Sequence, residues 1–103
     1  MIKGSIMKLK QLLFKKRKEI LRIAAKHGAY NIRIFGSVAR GEDNENSDID
    51  FLIDYDLSKT SSWFPMGLIV ELETLLKHKV DIATDDSLHE FIRDKILEEA
   101  IKL

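Results

Sequence analysis

The sequence predicts an α/β (α+β) fold, in which helices flank a small mixed sheet in the order α-β-loop-β-α-β-α. Apolar residues recur at helical spacing in three segments, and three shorter segments have the pattern of strands. Apolar residues make up 45% of the 103-residue chain and charged residues 33%, which excludes a disordered or low-complexity chain. We therefore expect one domain, spanning residues 1–103.

The first half of the chain is predicted to contain a helix, a strand and a long loop. Residues 7–27 are predicted to form the helix, with an exposed turn at residues 15–18 and Gly28 just after its end. Residues 31–35 follow as a short strand with isoleucines on one face. The segment 36–47 is rich in Gly, Asn, Asp and Glu, and this composition predicts a loop.

The second half is predicted to alternate strands and helices. The clearest strand is residues 48–54, a helix with inward leucines follows at residues 64–78, and a third strand covers residues 80–84. A capping box between Ser87 and Glu90 is predicted to open the last helix. The apolar residues of that last helix are Leu88, Phe91, Ile92, Ile96 and Ala100.

The composition excludes several classes of protein. The chain has no Cys, which rules out disulfide scaffolds, thiolate zinc sites and a cysteine nucleophile. The longest run without a charge, residues 60–70, is too short to span a bilayer. Lysines interrupt the N-terminal region, so no secretory signal is expected. We expect a soluble, cytoplasmic protein that has no contact with a membrane.

The net charge of zero hides two oppositely charged halves. Residues 1–41 carry eleven Lys or Arg and one acid, giving +10, whereas residues 42–103 carry six bases and sixteen acids, giving −10. Either the halves attract each other across the fold, or one contacts anions and the other contacts cations. The basic cluster at residues 15–18 has only Phe14 as a stacking partner. We therefore expect a solvated helix face there and no direct binding of nucleic acid.

Two carboxylates lie on one face of the strand at residues 48–54. Side chains two residues apart on a strand have Cβ atoms about 6.6–7 Å apart, so Asp48 and Asp50 are neighbours. Such carboxylates repel each other unless a cation or a proton lies between them, and oxygen ligands of this kind suit Mg²⁺. If the strand with Asp81 pairs beside this one, three carboxylates can hold two metal ions about 3.5–4 Å apart. The alternative is a solvent-facing edge whose acids protect against aggregation.

The turn after the first strand has the composition of a phosphate site. Gly36 lets the backbone approach a ligand, while the Ser37 hydroxyl and neighbouring N–H groups can hold phosphate oxygens. Arg40 can form paired hydrogen bonds to the same oxygens. An ordinary Gly-rich turn is the alternative. The short loop to the acidic strand, however, places an anion site and a cation site together, as a nucleoside triphosphate with Mg²⁺ requires.

Together these residues resemble a known family. Gly36 and Ser37, ten intervening residues, then Asp48, Ile49 and Asp50 match the GSx₁₀DxD signature of the DNA polymerase β-like nucleotidyltransferase superfamily. The surrounding segment, IRIFGSVARGEDNENSDIDFLID, looks most like the stand-alone minimal nucleotidyltransferase (MNT) domains. Those domains are commonly the antitoxin partners of HEPN-domain ribonuclease toxins. The resemblance covers roughly residues 30–84 and implies the polymerase β-like nucleotidyltransferase fold.

The resemblance also implies a role for each of these residues. Gly36 and Ser37 would hold the triphosphate of ATP, and Arg40 would contact phosphate. The three acids would be the catalytic residues and the ligands of Mg²⁺, with two ions expected: Asp48, Asp50 and Asp81.

The reaction that the resemblance implies is transfer of AMP from ATP to a hydroxyl, with pyrophosphate leaving. The implied acceptor is a tyrosine of the partner HEPN toxin, whose ribonuclease is thereby blocked, and Asp81 would help to activate its hydroxyl. A chain of about 100 residues has little room for a domain that binds an acceptor, which favours a partner protein as its source. Two alternatives stay open: a nucleotidyltransferase acting on RNA or a small molecule, and an antitoxin that masks its partner without catalysis.

Overall fold

The computed structural model describes residues 8–103 and has a mixed α/β architecture. Within this range the helices are α1 (Leu9–Lys15), α2 (Arg17–Lys26), α3 (Gly36–Arg40), α4 (Met66–Leu76) and α5 (Glu90–Glu99). The strands are β1 (Ala29–Phe35), β2 (Ile49–Tyr55), β3 (Val80–Thr84) and β4 (Ile101–Lys102). Single turns of 3₁₀ helix cover Leu57–Lys59 and Asp85–Ser87. None of the helices described between residues 8 and 103 has the length and apolar character needed to cross a bilayer.

The sheet has the strand order β3-β2-β1-β4. Strand β1 is antiparallel to both β2 and β4, whereas β2 and β3 are parallel. Parallel neighbours require a crossover connection, and α4 supplies it. As a result, β1 ends at the same edge of the sheet at which β2, β3 and β4 begin. We call this edge the upper edge. It is marked by Phe35, Ile49, Val80 and Ile101.

The hydrophobic core joins one face of β2 to the helices. Ile49, Phe51 and Ile53 are fully buried, as the alternation in the sequence predicts. Burying each such side chain stabilises the fold by about 1.5–3 kcal/mol. Strand β1 adds Ile32 and Ile34, and the helices add further large core residues, among them Leu13, Ile20, Ile23, Leu68, Leu72 and Leu76.

The predicted N-terminal helix is present as two helices. Helix α1 ends at Lys15 and α2 begins at Arg17, so the break lies at Lys16 alone, inside the predicted turn at residues 15–18, and the other residues of that segment are helical. Gly28 follows α2 with a φ of +83°, a left-handed conformation that ends the helix as predicted. Met7, the predicted first residue of the helix, lies outside the described residues.

Two predictions about connecting segments are wrong. The segment 36–47, predicted as a loop, begins with α3, because the apolar side chains of Val38 and Ala39 are buried in the core within this otherwise polar segment. The capping box between Ser87 and Glu90 is absent from the described structure. The Ser87 hydroxyl instead accepts a hydrogen bond from the Thr84 N–H, and His89 caps α5.

The C-terminal region departs furthest from the prediction. Helix α5 is shorter than predicted, since Leu88 precedes it and Ala100 follows it. None of its residues is buried, and Phe91 is 89% exposed. Strand β4 was not predicted, because two residues are too few to show an alternation. It pairs with β1, and the Leu103 N–H donates a 2.9 Å hydrogen bond to the Ile32 carbonyl.

Candidate active site

The sheet register brings the three predicted acids together. Asp50 on β2 lies directly opposite Asp81 on β3, and Asp48 lies two residues before Asp50, immediately before the strand begins. Neighbouring strands lie about 4.8 Å apart, so these carboxylates share one patch of the upper edge. The pairing of β3 beside β2, on which the sequence argument depended, is therefore present. Asp48 and Asp81 are exposed, whereas Asp50 is half-buried.

Asp50 is the acid most affected by this crowding. Burial raises its pKa to about 6, and the negative charges of Asp81 and then Asp48 act in the same direction. The positive charge of Arg40 opposes them and is outweighed. The patch therefore carries negative charge that the described side chains do not neutralise.

Gly36 connects the end of β1 to this patch. It follows Phe35, which lies opposite Asp50 on the antiparallel side of β2, and it has a φ of +76°. A Cβ at this position would overlap the Asp50 carboxylate oxygen Oδ2. Glycine is required here both for the left-handed backbone and for the close approach of Asp50.

The two other residues predicted to bind phosphate lie on α3. Ser37 is half-buried in the first turn, and Arg40 is the last residue of the helix. The Arg40 guanidinium donates hydrogen bonds to Glu42 at 2.8 Å and to Glu99 at 3.1 Å. The bond to Glu42, and then the bond to Glu99, raise the pKa of Arg40. The structure thus brings the predicted phosphate-binding residues and the acids to the same edge.

Glu99 is a residue at this edge that sequence reasoning missed. Its carboxylate oxygen Oε2 accepts a 2.8 Å hydrogen bond from the Gly36 backbone N–H, and its side chain is only 19% exposed. It reaches the site because α5 ends where β4 begins, at the upper edge. That placement depends on a strand of two residues, so the sequence carries no signal for it.

The acids at the upper edge have the chemistry of an open metal site. Within residues 8–103 no group of three or more His, Cys, Asp or Glu side chains forms a ready-made metal cage. Mg²⁺ usually takes only one or two protein carboxylates and completes its shell with water and substrate phosphate. The crowded, unneutralised oxygens around Asp50 fit such an open site.

Comparisons with known proteins identify the family of this chain. A family model described as a nucleotidyltransferase domain matches residues 15–103. A "putative protein adenylyltransferase" of Methanocaldococcus jannaschii is 41% identical over 85 residues, which cover 82% of this chain and 90% of that protein.

Two solved structures have a similar fold. One, described as a "putative minimal nucleotidyltransferase", superposes with a TM-score of 0.80 at 39% identity and covers 97% of this chain and 100% of its own. The other, a crystal structure of a toxin-antitoxin with AMP-PNP, has a TM-score of 0.66 at 22% identity. It covers 85% of this chain and 69% of its own, and this likeness shows the fold alone. The chain belongs to the nucleotidyltransferase domain family, with the minimal nucleotidyltransferase fold.

Proposed function

We propose that this chain is a Mg²⁺-dependent nucleotidyltransferase that transfers AMP from ATP to a tyrosine hydroxyl of a partner toxin, and so acts as its antitoxin. The observation that carries the proposal is the register of Asp50 with Asp81, directly beside Gly36. The name of the M. jannaschii relative supports a protein acceptor, and the toxin-antitoxin structure supports a toxin as partner. A HEPN-domain ribonuclease as that toxin rests on the sequence resemblance.

Each residue of the upper edge has a distinct task in this proposal. The Gly36 N–H and the Ser37 hydroxyl hold triphosphate oxygens, and Arg40 offers them a guanidinium. Three carboxylates hold Mg²⁺, and two ions are expected. The three acids are Asp48, Asp50 and Asp81.

The chemistry follows from charge and position. Bound Mg²⁺ would supply the positive charge that stabilises both the attacking oxygen and the leaving pyrophosphate. The turn at Gly36 fixes the triphosphate so that the acceptor oxygen meets the α-phosphorus in line with the bond that breaks. An O–P bond then forms, and pyrophosphate leaves with the electron pair of the broken bond. Asp81 is exposed at the upper edge, and we propose that its carboxylate takes the proton of the acceptor hydroxyl.

The exposure of the acids leaves the site accessible to an acceptor on another protein. Asp48 and Asp81 are both exposed, so a side chain presented by another protein can approach the α-phosphate position from solvent. The opposite net charges of residues 1–41 and 42–103 offer such a partner charged side chains of both signs.

The test uses ATP labelled at the α-phosphate, Mg²⁺, the purified protein and a lysate of its own cells. We expect the label on one protein band, and on a tyrosine of that band by mass spectrometry. Label from the γ-phosphate should not transfer, because it leaves with pyrophosphate. Asp50→Asn should abolish transfer, whereas Asp94→Asn should not, because the Asp94 side chain is 95% exposed on α5.

The other outcomes would overturn parts of the proposal. Label on RNA would retain the chemistry and replace the acceptor. A co-purifying partner that is neutralised without taking up label would support an antitoxin that only masks it. Transfer that survives Asp50→Asn would remove the acids from the site.

A further inference from the structure

The carboxylate of Glu99 accepts hydrogen bonds from two groups that we assign to phosphate binding. Its Oε2 accepts the Gly36 N–H at 2.8 Å, and its Oε1 accepts from the Arg40 guanidinium at 3.1 Å. A carboxylate and a phosphate are both anions that accept charge-assisted hydrogen bonds from N–H groups and guanidinium. Glu99 therefore makes with these two groups the contacts that a phosphate would make.

The anchoring of α5 explains how Glu99 can both reach this position and leave it. The segment after α5 is fixed to β1 by β4 and by the buried Leu103, which holds the last turn of the helix at the upper edge. The helix itself buries none of its residues. Rotation of the Glu99 side chain, or a small shift of α5, therefore exposes little core to water.

The charges around Glu99 act in opposite directions. Arg40 attracts the Glu99 carboxylate. The Arg40 side chain is 44% exposed and that of Glu99 is 19% exposed, so solvent partly screens this attraction. Asp50 repels it, and Glu99 is one of the charges that raise the pKa of Asp50. A phosphate chain accompanied by Mg²⁺ would bring its own counter-charge to Asp50, which Glu99 does not. This difference favours the nucleotide over Glu99 at the same contacts.

We propose that Glu99 is an internal competitor for the phosphate position, which pairs with Gly36 and Arg40 in the nucleotide-free protein and is displaced when a triphosphate binds. The proposal rests on the proposed function only in taking a triphosphate as the ligand. Glu99 is then a residue that sets the affinity for nucleotide, while it takes no part in the chemical step. A partner that contacts α5 could change that affinity by moving Glu99.

The experiment compares Glu99→Gln with Glu98→Gln, which removes the same charge from the exposed neighbouring residue. Inorganic tripolyphosphate and ATP are titrated by calorimetry into each protein with Mg²⁺ present. Glu99→Gln should bind both probes about fivefold more tightly than wild type, the factor typical of losing one partly exposed ion pair. Glu98→Gln should match wild type within about twofold. In transfer assays Glu99→Gln should lower KM for ATP by a similar factor and leave kcat unchanged.

The same data separate this proposal from the proposed function. Unchanged or weaker binding of tripolyphosphate to Glu99→Gln would overturn the competition, whether or not label is transferred. Tighter binding without transfer by any variant would support the competition and contradict the enzyme. Failure of every protein to bind either probe would overturn both.

A second variant guards against a folding defect in Glu99→Gln. Glu99→Asp keeps the charge and shortens the side chain by one methylene, so it cannot reach Gly36 and Arg40 together. It should also bind tripolyphosphate more tightly than wild type, and equal affinity would contradict the proposal.

Discussion

The two sides of the upper edge balance their charges differently. On the side formed by β2 and β3, three carboxylates crowd together, and burial with mutual repulsion raises the pKa of Asp50 to about 6. On the side formed by β1 and α3, the cation Arg40 is paired with both Glu42 and Glu99. In the folded protein the positive charge of Arg40 is neutralised by neighbouring carboxylates, whereas the side formed by β2 and β3 keeps an excess of negative charge. A cation can add to the acidic side, whereas a phosphate must replace an existing partner on the other.

The largest effect is expected from Asp50→Asn, which acts on the acidic side. Without this carboxylate the patch cannot hold Mg²⁺ and the triphosphate together, so transfer of AMP should fall by at least about a hundredfold. The fold should persist and become more stable in metal-free buffer near neutral pH, because a crowded charge is removed. Initial rates of label transfer and urea unfolding measure the two effects on one protein sample. An Asp50→Asn protein that unfolds would identify this acid as a structural residue.

The sequence predicts the side formed by β2 and β3 well, and the side formed by β1 and α3 only in part. The bounds of β3 agree with the predicted strand at residues 80–84, and β2 is displaced by one residue. Both strands are visible in the sequence because apolar residues alternate with an acid at the start of each, around Asp50 and Asp81. The acidic patch follows from that register. Glu99 and α5 could not be placed, since no face of α5 is buried and its position depends on pairing with a two-residue strand. Helix α3 escaped prediction because two apolar residues in a polar segment are too few to show helical spacing.

Gly36→Ala is expected to disturb the junction between the two sides. The substitution places a Cβ in a left-handed backbone and against the Asp50 carboxylate, so the free energy of unfolding should fall by about 2 kcal/mol. Gly41→Ala is the matched control, because Gly41 has a similar φ of +72° and no neighbouring atom within 4 Å of an added Cβ. It should cost about 1 kcal/mol, from the backbone alone. Equal losses, measured by urea unfolding, would show that Asp50 moves aside without cost.

The pH dependence of stability should report the crowding at Asp50. Its folded pKa of about 6 lies above the ordinary value of 3.8, so the folded state holds the proton more tightly than the unfolded state. The contribution of Asp50 is therefore neutral below the unfolded pKa and becomes destabilising as the pH rises through about 6. After allowance for solvent screening of this half-buried group, the loss should be about 1 kcal/mol.

The measurement compares the free energy of unfolding of wild type with that of Asp50→Asn, in metal-free buffer, as the pH rises from below the ordinary pKa of 3.8 to above the folded pKa of about 6. Wild type should lose stability relative to Asp50→Asn as the pH rises, and the difference isolates Asp50 from the other acids. Added Mg²⁺ should reduce the difference near neutral pH, because the cation stabilises the charged form. A difference that is independent of pH would mean that Asp50 titrates normally in the folded protein.

The smallest effect is expected from Ser37→Ala, on the β1 and α3 side. Ser37 contributes one neutral hydroxyl to the phosphate position, whose loss should weaken ATP binding about fivefold, within the range for one hydrogen bond. Affinity for Mg²⁺ alone should not change, because that affinity depends on the acidic side. Calorimetric titrations of ATP and of Mg²⁺ test the separation, with Ser62→Ala in the exposed segment before α4 as the control. If both affinities fell together, the two sides would act as one unit, and the independence inferred from their charge balance would be wrong.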